Sequence, residues 1–140
     1  MSYLLDTNVV SEFAKDEPHQ LVIDWLGAHR DAGLYLSVIT IGEIQQGISL
    51  LSSSQRKNRL TYWLNESLLP AYADWILPVD TNTMLQWGRL SAQLTHLGRK
   101  MPSMDAMIAA TALEHNLSLV TRNVADFTSV SLTLINPWDR

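Results

Sequence analysis

The chain has 140 residues, enough for one domain that buries about two thirds of its unfolded surface. Its 46% hydrophobic and 17% charged content excludes a disordered chain, and its lack of cysteine excludes a disulfide scaffold, thiolate catalysis and Cys-ligated metal sites. Ten Lys and Arg against fourteen Asp and Glu leave a net charge of −4, so the protein cannot coat nucleic acid by bulk charge; any such contact must be local or metal-mediated.

Tyr3-Leu4-Leu5 reads as a short strand that stops at Asp6-Thr7-Asn8, polar residues able to cap a helix over Val9 to Ala14. Pro18 to Arg30 repeats Leu21, Val22, Trp25 and Leu26 at helical spacing. Leu34 to Ser37 is the next strand, followed by Thr40-Ile41-Gly42-Glu43 and a helix through Leu50. Gln55 to Leu69 places Arg56, Lys57 and Arg59 beside Leu60, Trp63, Leu64 and Leu68, an amphipathic helix with an exposed basic face that Pro70 should end. Ile76 to Val79 is a strand interrupted by Pro78. Thr81 to Leu97 is predicted helical with Leu85, Gly88, Ala92 and Leu97 among its inward positions. After the Gly98 to Pro102 loop, Ser103 is expected to cap a helix over Met104 to His115. Ser118 to Thr121 and Leu132 to Ile135 are the last strands.

Strands alternating with helices predict one α/β domain over 1–140, an open parallel sheet covered on both faces. No run reaches the roughly 18 to 20 apolar residues that span a bilayer, and Met1-Ser2-Tyr3 carries no basic targeting stretch, so a cytoplasmic location is expected.

Acidic and amide groups fall at strand ends or helix starts, where open parallel sheets form ligand crevices. Asp6 closes the first strand; capping the following helix is its bland role. Glu43 completes a capping box with Thr40, in which it would reach back to the Thr40 amide. Asp105 lies in a first helical turn, favoured there by the helix dipole whatever its role. Asn123 and Asp126 follow another strand end, where Asn123 would serve equally as a cap. Each position is ordinary alone, and their convergence on one edge of the sheet is what distinguishes them.

The blocks Leu4-Leu5-Asp6-Thr7-Asn8, Ser37 to Ile44, Asp105 to Ala112, and Leu119 to Phe127 followed by Asn136-Pro137-Trp138 resemble PIN-domain ribonucleases, in particular the toxins of bacterial VapBC-type toxin–antitoxin pairs, including the FitB-like subgroup. The resemblance spans nearly the whole chain. It implies a three-layer α/β/α fold with a central parallel sheet and endoribonuclease activity dependent on Mg²⁺, with Mn²⁺ able to substitute. It also implies a homodimer, an RNA substrate such as a tRNA, and a cognate antitoxin whose C-terminal segment enters the active-site groove. Asp6, Glu43 and Asp105 match the family's acidic triad. The fourth position is open between Asn123, where many members carry Asp, and Asp126.

Carboxylates and water suit a hard octahedral cation. His19, His29, His96 and His115 are scattered and form no zinc site. Such a cation relieves the repulsion between clustered carboxylates, generates a water nucleophile and neutralises charge on the phosphate during in-line hydrolysis. On this reading Asp6 and Asp105 are the principal ligands, Glu43 is a ligand or orients water, and Asp126 or Asn123 completes the site. Thr7, Asn8, Thr121 and Asn123 give polar support. Arg89, Arg99, Lys100 and Arg122 are candidates for RNA contact, Arg56, Lys57 and Arg59 for antitoxin acids, and the tryptophans for core or interface. A phosphoaspartate phosphatase would need a second Asp where the chain has Asn8. The alternative from another class is a catalytically silent PIN-like module that binds RNA or protein.

Overall fold

The computed structural model describes residues 1–139; position 140 of the expected domain lies outside them. In chain order the elements are β1 (Ser2–Leu5), α1 (Thr7–Glu12), α2 (Gln20–Ala28), β2 (Gly33–Ser37), α3 (Val38–Ser49), α4 (Gln55–Tyr62), a π-helical turn (Trp63–Leu68), α5 (Leu69–Ala71) and β3 (Ile76–Leu77). Then follow α6 (Thr81–His96), α7 (Ser103–Glu114), β4 (Ser118–Val120), a 3-10 turn (Val124–Phe127) and β5 (Leu134–Ile135). All five strands are parallel, in the order β3-β2-β1-β4-β5. The chain runs outward from β1 in both directions, so the crevice between β1 and β4 is the topological switch point where such sheets bind ligands.

The strands are apolar at successive positions because both faces are covered. Tyr3, Leu5 and Val120 enter one core with Val9, Val10, Val22, Ile44 and Ile48, while Leu4 and Leu119 enter the other with Leu90, Leu94, Ile108, Ala109 and Phe127. This alternation within β1 and β4 is the period-two geometry of a strand, and it makes three layers. Helix α7 is buried at Ala106, Ile108, Ala109, Ala110, Thr111 and Ala112; its small side chains allow close packing beside α6.

Several local expectations are corrected. Helix α3 starts at Val38, capped by Ser37 Oγ, which accepts from the Ile39 amide at 3.1 Å; Thr40 is interior and Glu43 caps nothing. Helix α1 starts earlier than expected, at Thr7, and α2 is capped by His19 and begins at Gln20. Pro70 does not end the basic helix: α4 passes without a break into the π-helical turn and on through α5, so the helical run extends past Pro70 to Ala71, with the widened turn directly before the proline. The buried positions of α6 are Thr83, Leu90 and Leu94, whereas Leu85 and Leu97 are 53% and 62% exposed and Gly88 and Ala92 also face solvent. Positions 83, 90 and 94 follow the helical repeat; Leu85 lies off that stripe, and Leu97 is the C-cap residue, past the end of the helix. Ser103 is the first residue of α7 and does not cap it; Pro102 precedes it without a side-chain cap. Pro78 limits β3 to two residues, and β5 is likewise shorter than predicted.

Candidate active site at the carboxyl edge of the sheet

The site is built from four chain segments, those after the carboxyl ends of β1, β2 and β4 and the first turn of α7. Asp6 follows β1 and is only 7% exposed. Its Oδ1 accepts from the Thr7 amide at 2.8 Å, and its Oδ2 accepts from Thr121 Oγ1 at 2.8 Å. Capping and a functional role are therefore compatible: one oxygen caps α1 while the other is held from the end of β4. Thr121 is fully buried. Besides donating to Asp6, its hydroxyl accepts from Asn8 Nδ2 at 3.3 Å and from the Asn123 amide at 3.1 Å. One donor and two acceptor positions are thus used, the full capacity of a hydroxyl.

Glu43 projects from the second turn of α3. Its Oε1 accepts from Thr7 Oγ1 at 2.6 Å, and that hydroxyl lies 3.1 Å from the buried Thr40 Oγ1. The Thr40-to-Glu43 spacing that read as a capping box places both residues on one helical face toward α1. Asp105 is half-buried in the first turn of α7. Asp126 is exposed in the 3-10 turn, and the Asn123 side chain makes no cap bond there.

Electrostatics ties the carboxylates into one set. Burial raises Asp6 above the usual aspartate value; hydrogen bonds from Thr121 and Thr7 oppose this, and the charges of Asp105 and Glu43 add to it. Asp105 is raised by burial, then by the charges of Asp126 and Glu43. Asp105 thus acts on Asp6, while Asp126 and Glu43 act on Asp105. No cation contributes to either shift.

The donor set is oxygen-only, mutually repelling and uncompensated, which fits a hard divalent cation. Among the described residues no three acidic or imidazole groups close into a ready-made cage.

The candidate cations are dispersed. Arg122 lies beside the site: its amide donates to Asn8 Oδ1 at 3.1 Å, and its guanidinium lies 5.3 Å from the Trp138 ring centroid. Lys100 lines a small cavity with Trp87, Met101 and Ser103 near the start of α7. Arg89 lines a cavity between α6 and α7 with Gln86, Gln93, His96 and Leu113, a lining that includes none of the acids, and Arg99 is exposed in the α6–α7 loop. Residue patterns did not disclose an apolar cavity of about 510 Å³ beside Glu43, floored by Ile44, Ile48, Leu60 and Trp63 with Arg56 among its lining residues. Its lining comes from α1, α3, α4 and the π-helical turn, so no contiguous motif signals it.

The chain matches the PIN domain family over residues 3–131. Toxin FitB of Neisseria gonorrhoeae is 36% identical over 135 residues, 96% of this chain and 97% of that protein. VapC ribonuclease Y4jK of Sinorhizobium fredii is 36% identical over 136 residues, 97% of each. The crystal structure of FitAcB from Neisseria gonorrhoeae has a TM-score of 0.90 at 35% identity, covering 99% of both chains. An acidic crevice at the switch point of this sheet, in a chain that shares its length and fold with these proteins, identifies it as a member of the PIN-domain family and a VapC-type toxin.

Proposed function

We propose that the chain is a metal-dependent endoribonuclease toxin that hydrolyses phosphodiester bonds in RNA and is neutralised by a cognate antitoxin. The observation that carries this is the oxygen-only acidic set at the switch point, with Asp105 coupled to Asp6, Glu43 and Asp126 and no cation offsetting it. Asp6 and Asp105 would hold Mg²⁺ or Mn²⁺, with Glu43 a ligand or a base that orients the attacking water and Asp126 or Asn123 completing the set. Asn123 gives only its backbone N–H to Thr121, so its side chain and the Asp126 carboxylate both remain open to the fourth position. When bound, the ion supplies Lewis-acid stabilisation of the phosphate and lowers the pKa of its water.

The protein's own part is positioning. Thr121 and the Thr7 amide hold the Asp6 oxygens in two directions. Thr7 Oγ1 fixes Glu43 so that its second oxygen is available to accept a proton from water. The four acids together keep the crevice negative, which favours a divalent ion and opposes a bare phosphate strand. The antitoxin segment is proposed to dock in the apolar cavity beside Glu43, with Arg56 meeting its acids. A tRNA substrate, a homodimer and a cytoplasmic location complete the proposal; no described helix is long and apolar enough to cross a membrane.

The test is sequencing of RNA 5′ ends minutes after induction of the chain without antitoxin, beside an Asp6→Asn control. Discrete new ends that depend on Asp6 are expected and would identify the substrate. Folded protein that produces no Asp6-dependent ends would refute the nuclease reading and favour the silent binding module.

A further inference from the structure

The C-terminal Asn136-Pro137-Trp138 turn carries no part of the acidic chemistry, yet two contacts tie it to Arg122 beside the site. Asn136 Nδ2 donates to the Arg122 carbonyl at 3.5 Å, and Asn136 Oδ1 accepts from the Trp138 amide at 2.9 Å. One amide side chain therefore bridges the backbones of Arg122 and Trp138. The Arg122 guanidinium lies 5.3 Å from the Trp138 ring centroid, within cation–π range. Trp138 is half-buried, packed against the core on one side and with His19 at a ring separation of 6.5 Å.

Arg122 follows directly on Thr121, which holds Asp6. The Arg122 backbone stands beside the crevice, but among the described residues its side chain makes no ion pair and offsets neither Asp6 nor Asp105. Its stacking on Trp138 accounts for that separation. The cation is exposed, oriented by Trp138 and without a carboxylate partner among the described residues, on a residue whose backbone borders a crevice that repels anions.

We propose that Arg122 binds a backbone phosphate flanking the scissile bond and that Trp138 is its positioning residue. This rests on the nuclease reading above. Local cations matter here because the net charge is −4, so strand affinity cannot come from the protein's overall field.

The experiment uses the full chain with a labelled single-stranded RNA oligonucleotide, in chelator to prevent cleavage, over a series of salt concentrations. Arg122→Ala is expected to reduce the slope of log K against log salt by about 0.7, the value for one phosphate contact on a single strand. Trp138→Leu keeps apolar packing but loses the π face; it should weaken binding about two- to fivefold, whereas Trp138→Phe should restore it. In an Arg122→Ala background Trp138→Leu should have no further effect. With Mn²⁺ added, Trp138→Leu should raise KM and leave kcat unchanged.

A folded Trp138→Leu variant that binds and cuts RNA like the wild type would overturn the proposal and leave the nuclease reading intact. So would a Trp138 effect that persists without Arg122. Wild-type protein that neither binds nor cuts RNA would overturn both.

Discussion

Replacing Thr121 with Val tests whether the site is built as described, because it removes a hydroxyl and almost nothing else. Thr121 is fully buried, and its hydroxyl donates at 2.8 Å to an Asp6 carboxylate that is 7% exposed. A hydrogen bond to a charged acceptor contributes about 1.5–3 kcal/mol. The two donors that lose their acceptor, Asn8 Nδ2 and the Asn123 amide, belong to a half-buried and an exposed residue, so water can replace it there. The expected cost is about 2–3 kcal/mol at pH 7. With an unfolding entropy of about 2.1 cal/mol/K per residue over this length, that cost lowers Tm by roughly 7–10 °C. Thermal and urea unfolding in chelator would measure it, with Asp6→Asn and the double variant completing a cycle. A coupling of about 1 kcal/mol or more is expected between contacting partners. A Tm loss below about 2 °C, or a coupling near zero, would refute the idea that Thr121 holds Asp6.

Burial and neighbouring acids raise both Asp6 and Asp105, so the native state binds protons more tightly than the unfolded chain. In chelator the stability conferred by these groups should be fully present below their ordinary value of 3.8 and lost as pH rises through their raised values. Asp6→Asn and Asp105→Asn should each flatten that decline in a pH series of urea unfolding curves. Millimolar Mn²⁺ should raise Tm, by the equivalent of about 2.7 kcal/mol at a hundred times Kd; an undiminished response in Asp105→Asn would remove Asp105 from the ligand set. Leu90→Ala, at a position 4% exposed, should cost about 2–5 kcal/mol, whereas Leu85→Ala, 53% exposed, should cost within about 0.5 kcal/mol. Equal losses in urea unfolding would mean that the inward face of α6 is wrongly placed.

Much of this protein is legible in its residues alone. Short apolar runs separated by helical repeats require a parallel sheet covered on both faces, since an all-apolar strand such as Tyr3-Leu4-Leu5 is stable only when both of its sides are buried. Asp6, Glu43, Asp105, Asn123 and Asp126 stand out as candidates because strand ends and helix starts are where side chains can reach a shared crevice. Tertiary structure decided what local pattern could not. Thr40 to Glu43 satisfies a capping pattern, but Ser37 holds the cap and Glu43 bonds to Thr7, thirty-six residues away. Helix α6 carries apolar residues at competing positions, and only packing against α7 and the sheet selects Leu90 and Leu94 over Leu85 and Leu97. Trp138 reads as generic core material until the Asn136 bridge sets it beside Arg122. The physical reason is common to all three. Periodicity and capping act over three or four residues, whereas the strand order that sets β1 between β2 and β4 determines which distant groups meet, and those meetings make the site.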